Sequence, residues 1–268
     1  MNLNLRIGLY CLLGGLYFTV AALGAGHFWL WWLCGILTVA SLTPVVRFGP
    51  RHWLAQAGII YLALVVVGLV CTLTEAVLFF PSMKAEAQRD LIGGSVSYLI
   101  ATVVLVALAR MLKLAEPAEQ AAPHRPAGIA IPMVVLAGLS YALYYQVFGY
   151  ITYHYFTQQY YQQSVAEQIV PLGYWFYVYL WVRGIVMVLA VLPIIYTLRL
   201  PRWQAALAVG VVIWIVGGGA ALLVPNPMMV TVQRYEHIVE IMTQNVSLGV
   251  TAVFLLRPRA ARTAATSA

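Results

Sequence analysis

Charged residues are scarce in this chain, which argues against a soluble globular protein. Only 9% of its 268 residues are charged and 63% are hydrophobic, whereas a soluble domain averages about 25% charged residues. A soluble fold of this size could not bury so much apolar surface. Together with the mean hydropathy of +0.86, this predicts a single membrane domain and no separate soluble one.

Cysteines and catalytic motifs are also few. Cys11, Cys34 and Cys71 all lie within hydrophobic stretches and form no CxxC pair, so we interpret them as small buried apolar side chains. The chain has no Walker A loop, no GxSxG elbow, no HExxH motif and no adjacent glutamates. Its histidines fall mostly at the ends of hydrophobic stretches or in loops, which disfavours a bis-histidine haem. No cofactor is predicted.

The net charge of +7 does not indicate a nucleic-acid partner, because the basic residues are scattered and form no stripe. The expected partners are membrane lipid and a small polar ligand, and an oligomer or complex partner stays open. The short loops and the lack of soluble domains are typical of a bacterial inner-membrane protein.

Eight stretches approach or exceed the roughly 20 apolar residues that a membrane span needs. They are residues 7–24, 28–46, 54–80, 91–109, 128–151, 172–198, 204–224 and 235–256. In lipid only a helix satisfies every backbone group within one segment. The sequence therefore predicts an all-α integral membrane protein with eight transmembrane helices.

The distribution of lysine and arginine predicts the orientation. Three of them, Lys84, Arg89 and Arg234, fall in odd-numbered loops. Eleven fall at the N-terminus, in even-numbered loops or at the C-terminus, namely Arg6, Arg47, Arg51, Arg110, Lys113, Arg125, Arg199, Arg202, Arg257, Arg259 and Arg262. This bias predicts that both termini lie in the cytoplasm.

An internal similarity predicts two tandem four-helix halves. Pro50-Arg51-His52-Trp53 precedes the third span, and Pro201-Arg202-Trp203 precedes the seventh. The first span reads Leu13-Gly14-Gly15-Leu16, and the fifth reads Leu136-Ala137-Gly138-Leu139. We expect a first half at 1–114, a cytoplasmic linker at 115–127, a second half at 128–259 and a disordered tail at 260–268. Four spans per half would give both halves the same orientation.

Polar residues inside predicted spans are functional candidates, because burying charge in lipid is costly. Glu75 lies near the outer end of span three, and Arg183 lies deep in span six and needs a carboxylate or carbonyl partner. Glu75 or Glu240 could supply it. A structural ion pair between helices is the alternative reading.

The densest polar stretch begins span eight. Helical spacing places His237, Glu240 and Gln244 on one face, with Arg234 near His237, and Asn245 follows. This stripe must face the bundle interior or water. His237 and Glu240 have an i,i+3 spacing known from metal sites, but the chain offers too few further carboxylates, so no metal is predicted.

Two other features are weaker candidates. His154 lies in a run rich in tyrosine and glutamine from Tyr150 to Gln163, which is also typical of an aromatic belt at the membrane interface. Gly217-Gly218-Gly219 in span seven is interpreted as a site of close helix packing, with a hinge as the alternative.

These residues favour a protein that binds a small polar or amphiphilic, lipid-like ligand at an outward-facing site. The expected ligand-binding residues are Glu75, His154, Arg183, Arg234, His237, Glu240, Gln244 and Asn245. Arg183 or Arg234 would hold an anionic group, and His237 or Glu240 would exchange a proton, which makes them the catalytic candidates. A membrane enzyme acting on a lipid-linked substrate, a proton-coupled transporter and a structural subunit of a membrane complex remain alternatives.

Overall fold

The computed structural model describes residues 1–23, 26–116, 125–159, 173–226 and 229–258. Within these ranges, eight helices are long and apolar enough to cross a membrane. They are α1 (Leu3–Ala21), α2 (Phe28–Phe48), α3 (Trp53–Phe79), α4 (Pro81–Met111), α5 (Ala127–Thr157), α6 (Trp175–Thr197), α7 (Arg202–Gly219) and α8 (Thr231–Leu256). This confirms the predicted all-α class with eight candidate spans. Most of the predicted linker and the whole predicted tail lie outside the described residues.

Three helices differ from their predicted bounds by five residues or more. The fifth extends six residues beyond its predicted end, to Thr157. The fourth begins ten residues early, because its first turns carry Lys84, Glu86, Arg89 and Asp90 and the helix continues beyond the apolar stretch. The seventh ends five residues early at Gly219, because the preceding Gly218 has a φ of 127°. That backbone conformation is open to glycine and cannot continue a helix.

Large apolar side chains cover the outside of the bundle. On α4, Leu99 and Val103 are about half exposed, and similar residues follow one another along α1 and α5. Water would penalise such a continuous apolar surface, whereas lipid does not. The surface therefore fits a multi-pass membrane protein.

Glycines bring two pairs of neighbouring helices into backbone contact. A Cβ added at Gly35 of α2 would lie 2.5 Å from the carbonyl oxygen of Gly15 on α1. A Cβ added at Gly184 of α6 would lie at the same distance from the carbonyl oxygen of Gly138 on α5. Only glycine permits this closeness, which is a common way of packing membrane helices.

The third and seventh helices pack against each other at the centre of the bundle. Each contains π-helical turns there, at Ala63–Val70 in α3 and at Ile215–Gly219 in α7. A Cβ at Gly68 would lie 3.0 Å from a methyl group of Val216. These widened turns are frequent at functional sites, and they adjoin the candidate site described below.

One end of the bundle is rich in basic residues, and we call it the arginine-rich end. There Arg199 donates to the carbonyl oxygens of Phe48 (3.0 Å) and Gly49 (2.9 Å), and Arg257 donates to that of Leu200 at 3.2 Å. Helices leave such terminal carbonyls without backbone partners. The described basic residues of this end are Arg6, Arg47, Arg51, Arg110, Lys113, Arg125, Arg199, Arg202 and Arg257.

Candidate functional site

An ion pair joins α3 to α6 near the end of the bundle opposite the arginine-rich end. Nη2 of Arg183 lies 2.7 Å from Oε2 of Glu75, and only 5% of the arginine side chain is exposed. The Tyr145 hydroxyl, on α5, donates to the other carboxylate oxygen at 3.2 Å. The Arg183 guanidinium also lies 5.5 Å from the centre of the Tyr141 ring. Three helices thus fix the Glu75 carboxylate in place.

A second carboxylate is held along one face of α8. Nδ1 of His237 lies 2.9 Å from Oε2 of Glu240, and Nε2 of Gln244 donates to Oε1 at 2.9 Å. Gly149 of α5 passes close by, and a Cβ there would lie 3.2 Å from Oε1 of Glu240. The spacing of these polar residues along the helix, which the sequence revealed, therefore produces a hydrogen-bonded cluster.

Both carboxylates face one cavity of about 340 Å³. Four helices contribute to it: the end of α3, the second half of α5, the broken end of α7 and the beginning of α8. The lining residues are Thr72, Glu75, Ala76, Phe79, Phe80, Tyr145, Gly217, Gly218, Ala221, Leu222, Asn226, Met229, Gln233, His237, Glu240 and Ile241. The walls are mostly apolar, and the titratable groups are concentrated at Glu75, Tyr145, His237 and Glu240.

Several side-chain oxygens of the lining residues have unused capacity to accept hydrogen bonds. Two lining residues, Thr72 and Gln233, have buried side-chain oxygens without a hydrogen-bond partner among the described residues. The carboxylates of Glu75 and Glu240 each have further lone pairs beyond the bonds that they already accept. The free lone pairs of the two carboxylates suit this wall to a guest that donates hydrogen bonds.

Two of the expected ligand-binding residues lie outside the cavity and hold in place groups that line it. Gln244 and Asn245 are both almost fully buried and do not line the cavity. Asn245 donates to the carbonyl oxygen of Ile213, just before the π-helical turns of α7, at 3.3 Å. Gln244 orients Glu240, and Asn245 ties α8 to the helix that carries Gly217 and Gly218.

Arg183 does not line the cavity but contacts Glu75, which does. Arg234 and His154 lie elsewhere. Arg234 donates to the carbonyl oxygens of Leu222 (3.0 Å) and Leu223 (3.2 Å), so its charge is used to terminate the short helical turn after α7. The His154 ring is exposed and stacks on Tyr150 with the ring centroids 5.6 Å apart. Neither residue is part of the cavity lining.

Sequence reasoning missed several lining residues. Thr72 and Gln233 were not singled out, although Gln233 precedes His237 by four residues and so shares its helix face. The aromatic wall of Phe79, Phe80 and Tyr145 gave no signal, because such residues are ordinary in a membrane span. Gly218 was read mainly as a packing residue, whereas here it bends the chain at the cavity wall.

Two carboxylates and one histidine line the cavity. No group of three His, Cys, Asp or Glu side chains among the described residues is placed to hold a metal ion. Cys34 and Cys71 are buried and Cys11 is partly buried, and all three are free thiols. The groups at the cavity wall can form hydrogen bonds and ion pairs, and His237 or Glu240 can exchange a proton.

Comparisons with known proteins give no relative for this chain: no family model, no curated protein and no solved structure matches it.

Proposed function

We propose that this membrane protein binds a small amphiphilic ligand with a positively charged, hydrogen-bond-donating head in the cavity between α3, α5, α7 and α8. The observation that carries the proposal is that Glu75 and Glu240, from different helices, line one cavity. A primary amine or a similar ammonium group is the head that this pair of carboxylates suits best.

The arrangement of charge supports a cationic head over an anionic one. Arg183 is bonded to Glu75, and Arg234 is bonded to backbone carbonyls, so neither guanidinium is directed into the cavity. His237 is bonded to Glu240. With His237 neutral, Glu75, Arg183, Glu240 and His237 together carry one formal negative charge, which is that of Glu240. An anion in the cavity would be repelled by that carboxylate at close range.

The apolar walls suit the rest of such a ligand. Phe79, Phe80 and Tyr145 offer ring faces that attract a cation and bury hydrocarbon. Met229 and Ile241 complete the apolar surface. A volume of about 340 Å³ is near the lower end of the roughly 300–1,000 Å³ typical of ligand pockets, so the ligand is small.

An enzyme acting on a lipid-linked substrate is the second candidate, favoured by the 2.9 Å contact between His237 and Glu240 at the cavity wall. In that reading, Glu240 orients the imidazole and the free ring nitrogen of His237 exchanges a proton with the substrate. An enzyme must convert its substrate to a product. A His237→Ala variant that still binds the substrate but no longer converts it would therefore distinguish an enzyme from a protein that only binds.

Transport has less support. Beyond Asn245 towards the arginine-rich end, the buried residues of α8 are apolar, and Leu248, Ala252 and Val253 are fully shielded from solvent. A proton or a polar ligand would meet no continuous polar path along this helix. A purely structural subunit would have its polar groups paired with one another and no cavity. Here Glu75 is paired with Arg183 and Glu240 with His237, but the two carboxylates also border a cavity.

We also infer that the chain consists of two duplicated four-helix halves. The contacts Gly15–Gly35 and Gly138–Gly184 each join the first two helices of a half, at equal distances. In both halves a proline follows the second glycine after nine residues, Pro44 after Gly35 and Pro193 after Gly184. The π-helical turns of α3 and α7, which are equivalent in this scheme, meet at the centre of the bundle.

The distribution of basic residues supports an orientation in the membrane, which we also propose. If the arginine-rich end faces the cytoplasm, both termini are cytoplasmic and the ligand cavity lies in the outward-facing half. A bacterial inner membrane is the setting that we propose for this topology.

Binding of three eight-carbon probes to the purified protein tests the ligand class. We expect octylammonium to bind more tightly than octanol, and octanoate to bind weakest. Glu240→Gln should weaken octylammonium binding about tenfold or more, because it removes one partner of a charged hydrogen bond. Glu86→Gln, which changes an exposed carboxylate on α4, is the matched control. Equal binding of octanoate and octylammonium, or equal effects of the two substitutions, would refute the proposal.

A further inference from the structure

A second cavity lies between the end of α3 and the beginning of α4, opposite the arginine-rich end, and we call it the hairpin groove. Its volume is about 490 Å³. On α3 it is lined, at helical spacing, by Val70, Leu73, Thr74, Val77 and Leu78. The cavity bordered by Glu75 and Glu240, which we call the carboxylate cavity, is lined on α3 by Thr72, Glu75, Ala76 and Phe79. At 100° per residue, the two sets lie on opposite sides of the same helix.

The other wall of the hairpin groove is the beginning of α4, with Lys84, Ala87, Gln88 and Leu91 at the same helical spacing. Just beyond Leu91 the two helices close on each other, because a Cβ at Gly94 would lie 3.0 Å from the methyl groups of Leu69. The groove is therefore closed towards the middle of the bundle. From Leu91 to Lys84 it runs for about 10 Å along α4.

The surface of the groove is almost entirely hydrocarbon. The Thr74 hydroxyl donates to the carbonyl oxygen of Val70 at 2.7 Å, within its own helix. Lys84 and Gln88 line the groove with their methylene groups and carry their polar ends to the rim. Thr74 and Leu91 are exposed, so the groove opens on the outside of the bundle. Such a surface offers water few hydrogen-bond partners, whereas a hydrocarbon chain gains contacts along it.

The rim of the groove is positively charged. Lys84 is the one charged residue among the lining residues, and no ion pair among the described residues involves it. Glu86 and Asp90 follow Lys84 by two and six residues, which places both carboxylates on the far side of α4. An occupant that is hydrocarbon within the groove and anionic at the rim therefore complements both the surface and the charge.

We propose that the hairpin groove binds an acyl chain of a net-anionic phospholipid, whose phosphate contacts the Lys84 ammonium at the rim. This lipid belongs to the leaflet at the end opposite the arginine-rich end. A lysine binds phosphate as a point charge, and a zwitterionic lipid would bring its own cation close to Lys84 and bind less tightly. Because α3 separates the hairpin groove from the carboxylate cavity, the lipid site does not depend on amine binding.

Native mass spectrometry of the intact protein, with phosphatidylglycerol and phosphatidylcholine of identical acyl chains, tests the contact at the rim. We expect phosphatidylglycerol to be retained preferentially, and Lys84→Gln to reduce that preference about fivefold, because one lysine contact near the membrane surface is lost. Arg89→Gln is the matched control, since it removes one positive charge from the same end of α4 at a position that does not line the groove. Equal retention of the two lipids, or an equal loss in the control, would refute the proposal.

Photo-crosslinking tests the position of the acyl chain. Phosphatidylglycerol with a diazirine in one chain should label peptides from residues 70–91 in preference to the rest of the protein. Thr74→Phe keeps Lys84 but fills the groove, so it should reduce this labelling about fivefold or more. Gly58→Phe adds the same ring to α3 where a Cβ meets nothing within 4 Å, and should leave the labelling unchanged. Labelling that resists Thr74→Phe, or that an equal concentration of palmitate abolishes, would overturn the assignment to a phospholipid.

Discussion

Arg183 on α6 and Glu75 on α3 form a buried ion pair at 2.7 Å, and the same Glu75 borders the candidate ligand cavity. The pair thus serves two purposes. It satisfies an arginine that would be costly in lipid without a partner, and it fixes a carboxylate at the cavity wall. One contact therefore contributes both to helix packing and to the position of a carboxylate at the cavity.

Breaking this pair on one side should destabilise the protein more than removing both charges. We expect Glu75→Gln alone to lower the unfolding free energy by about 3 kcal/mol, because it leaves the Arg183 charge buried without a counterion. The double variant Glu75→Gln, Arg183→Met should recover most of that loss. Unfolding in mixed detergent micelles measures both, and additive effects of the two substitutions would contradict a direct pair.

The proposed duplication predicts that the two glycine contacts respond alike to alanine. Gly35→Ala and Gly184→Ala each place a Cβ 2.5 Å from a carbonyl oxygen, and we expect each to cost about 1–3 kcal/mol through overpacking. Gly58→Ala on α3 is the control, because a Cβ there meets nothing within 4 Å and alanine favours a helix. A penalty at only one of the two matched positions would argue against duplicated halves.

Gly218 should be intolerant of any side chain. Its φ of 127° is strained for other residues, so Gly218→Ala should destabilise the break at the end of α7 and move Gly217 and Ala221 at the cavity wall. We expect reduced thermal stability together with at least tenfold weaker octylammonium binding. Unchanged binding in a folded Gly218→Ala protein would show that this bend does not shape the cavity.

Cysteine labelling on intact cells should reveal the orientation. Ser82 and His52 are exposed at opposite ends of the bundle, and the native cysteines are free thiols that are buried or partly buried within helices. A membrane-impermeant maleimide should label Ser82→Cys on intact cells and His52→Cys only after permeabilisation. The reverse pattern would place the arginine-rich end outside and the carboxylate cavity towards the cytoplasm.

Local patterns were enough to predict much of the site. The spacing of His237, Glu240 and Gln244 placed them on one helix face, and the helical period makes this a property of the sequence. The need of Arg183 for a partner was also evident, since a charge within a span is costly, and Glu75 was one of two candidate partners. The second candidate, Glu240, is instead bonded to His237 and Gln244.

The sequence by itself determined the membrane class and the eight helices. In lipid each backbone segment must satisfy its own hydrogen bonds, so each apolar stretch forms a helix. The length of each stretch shows whether that helix can cross the membrane. Only the tertiary structure decided which polar groups share a cavity. Glu75, Tyr145 and Glu240 lie on three helices, and their convergence depends on how glycine contacts and widened turns set the packing. The tertiary structure also decided that Arg234 donates to backbone carbonyls and does not line the cavity. The bend at Gly218 brings the carbonyls of Leu222 and Leu223 within reach of the Arg234 guanidinium.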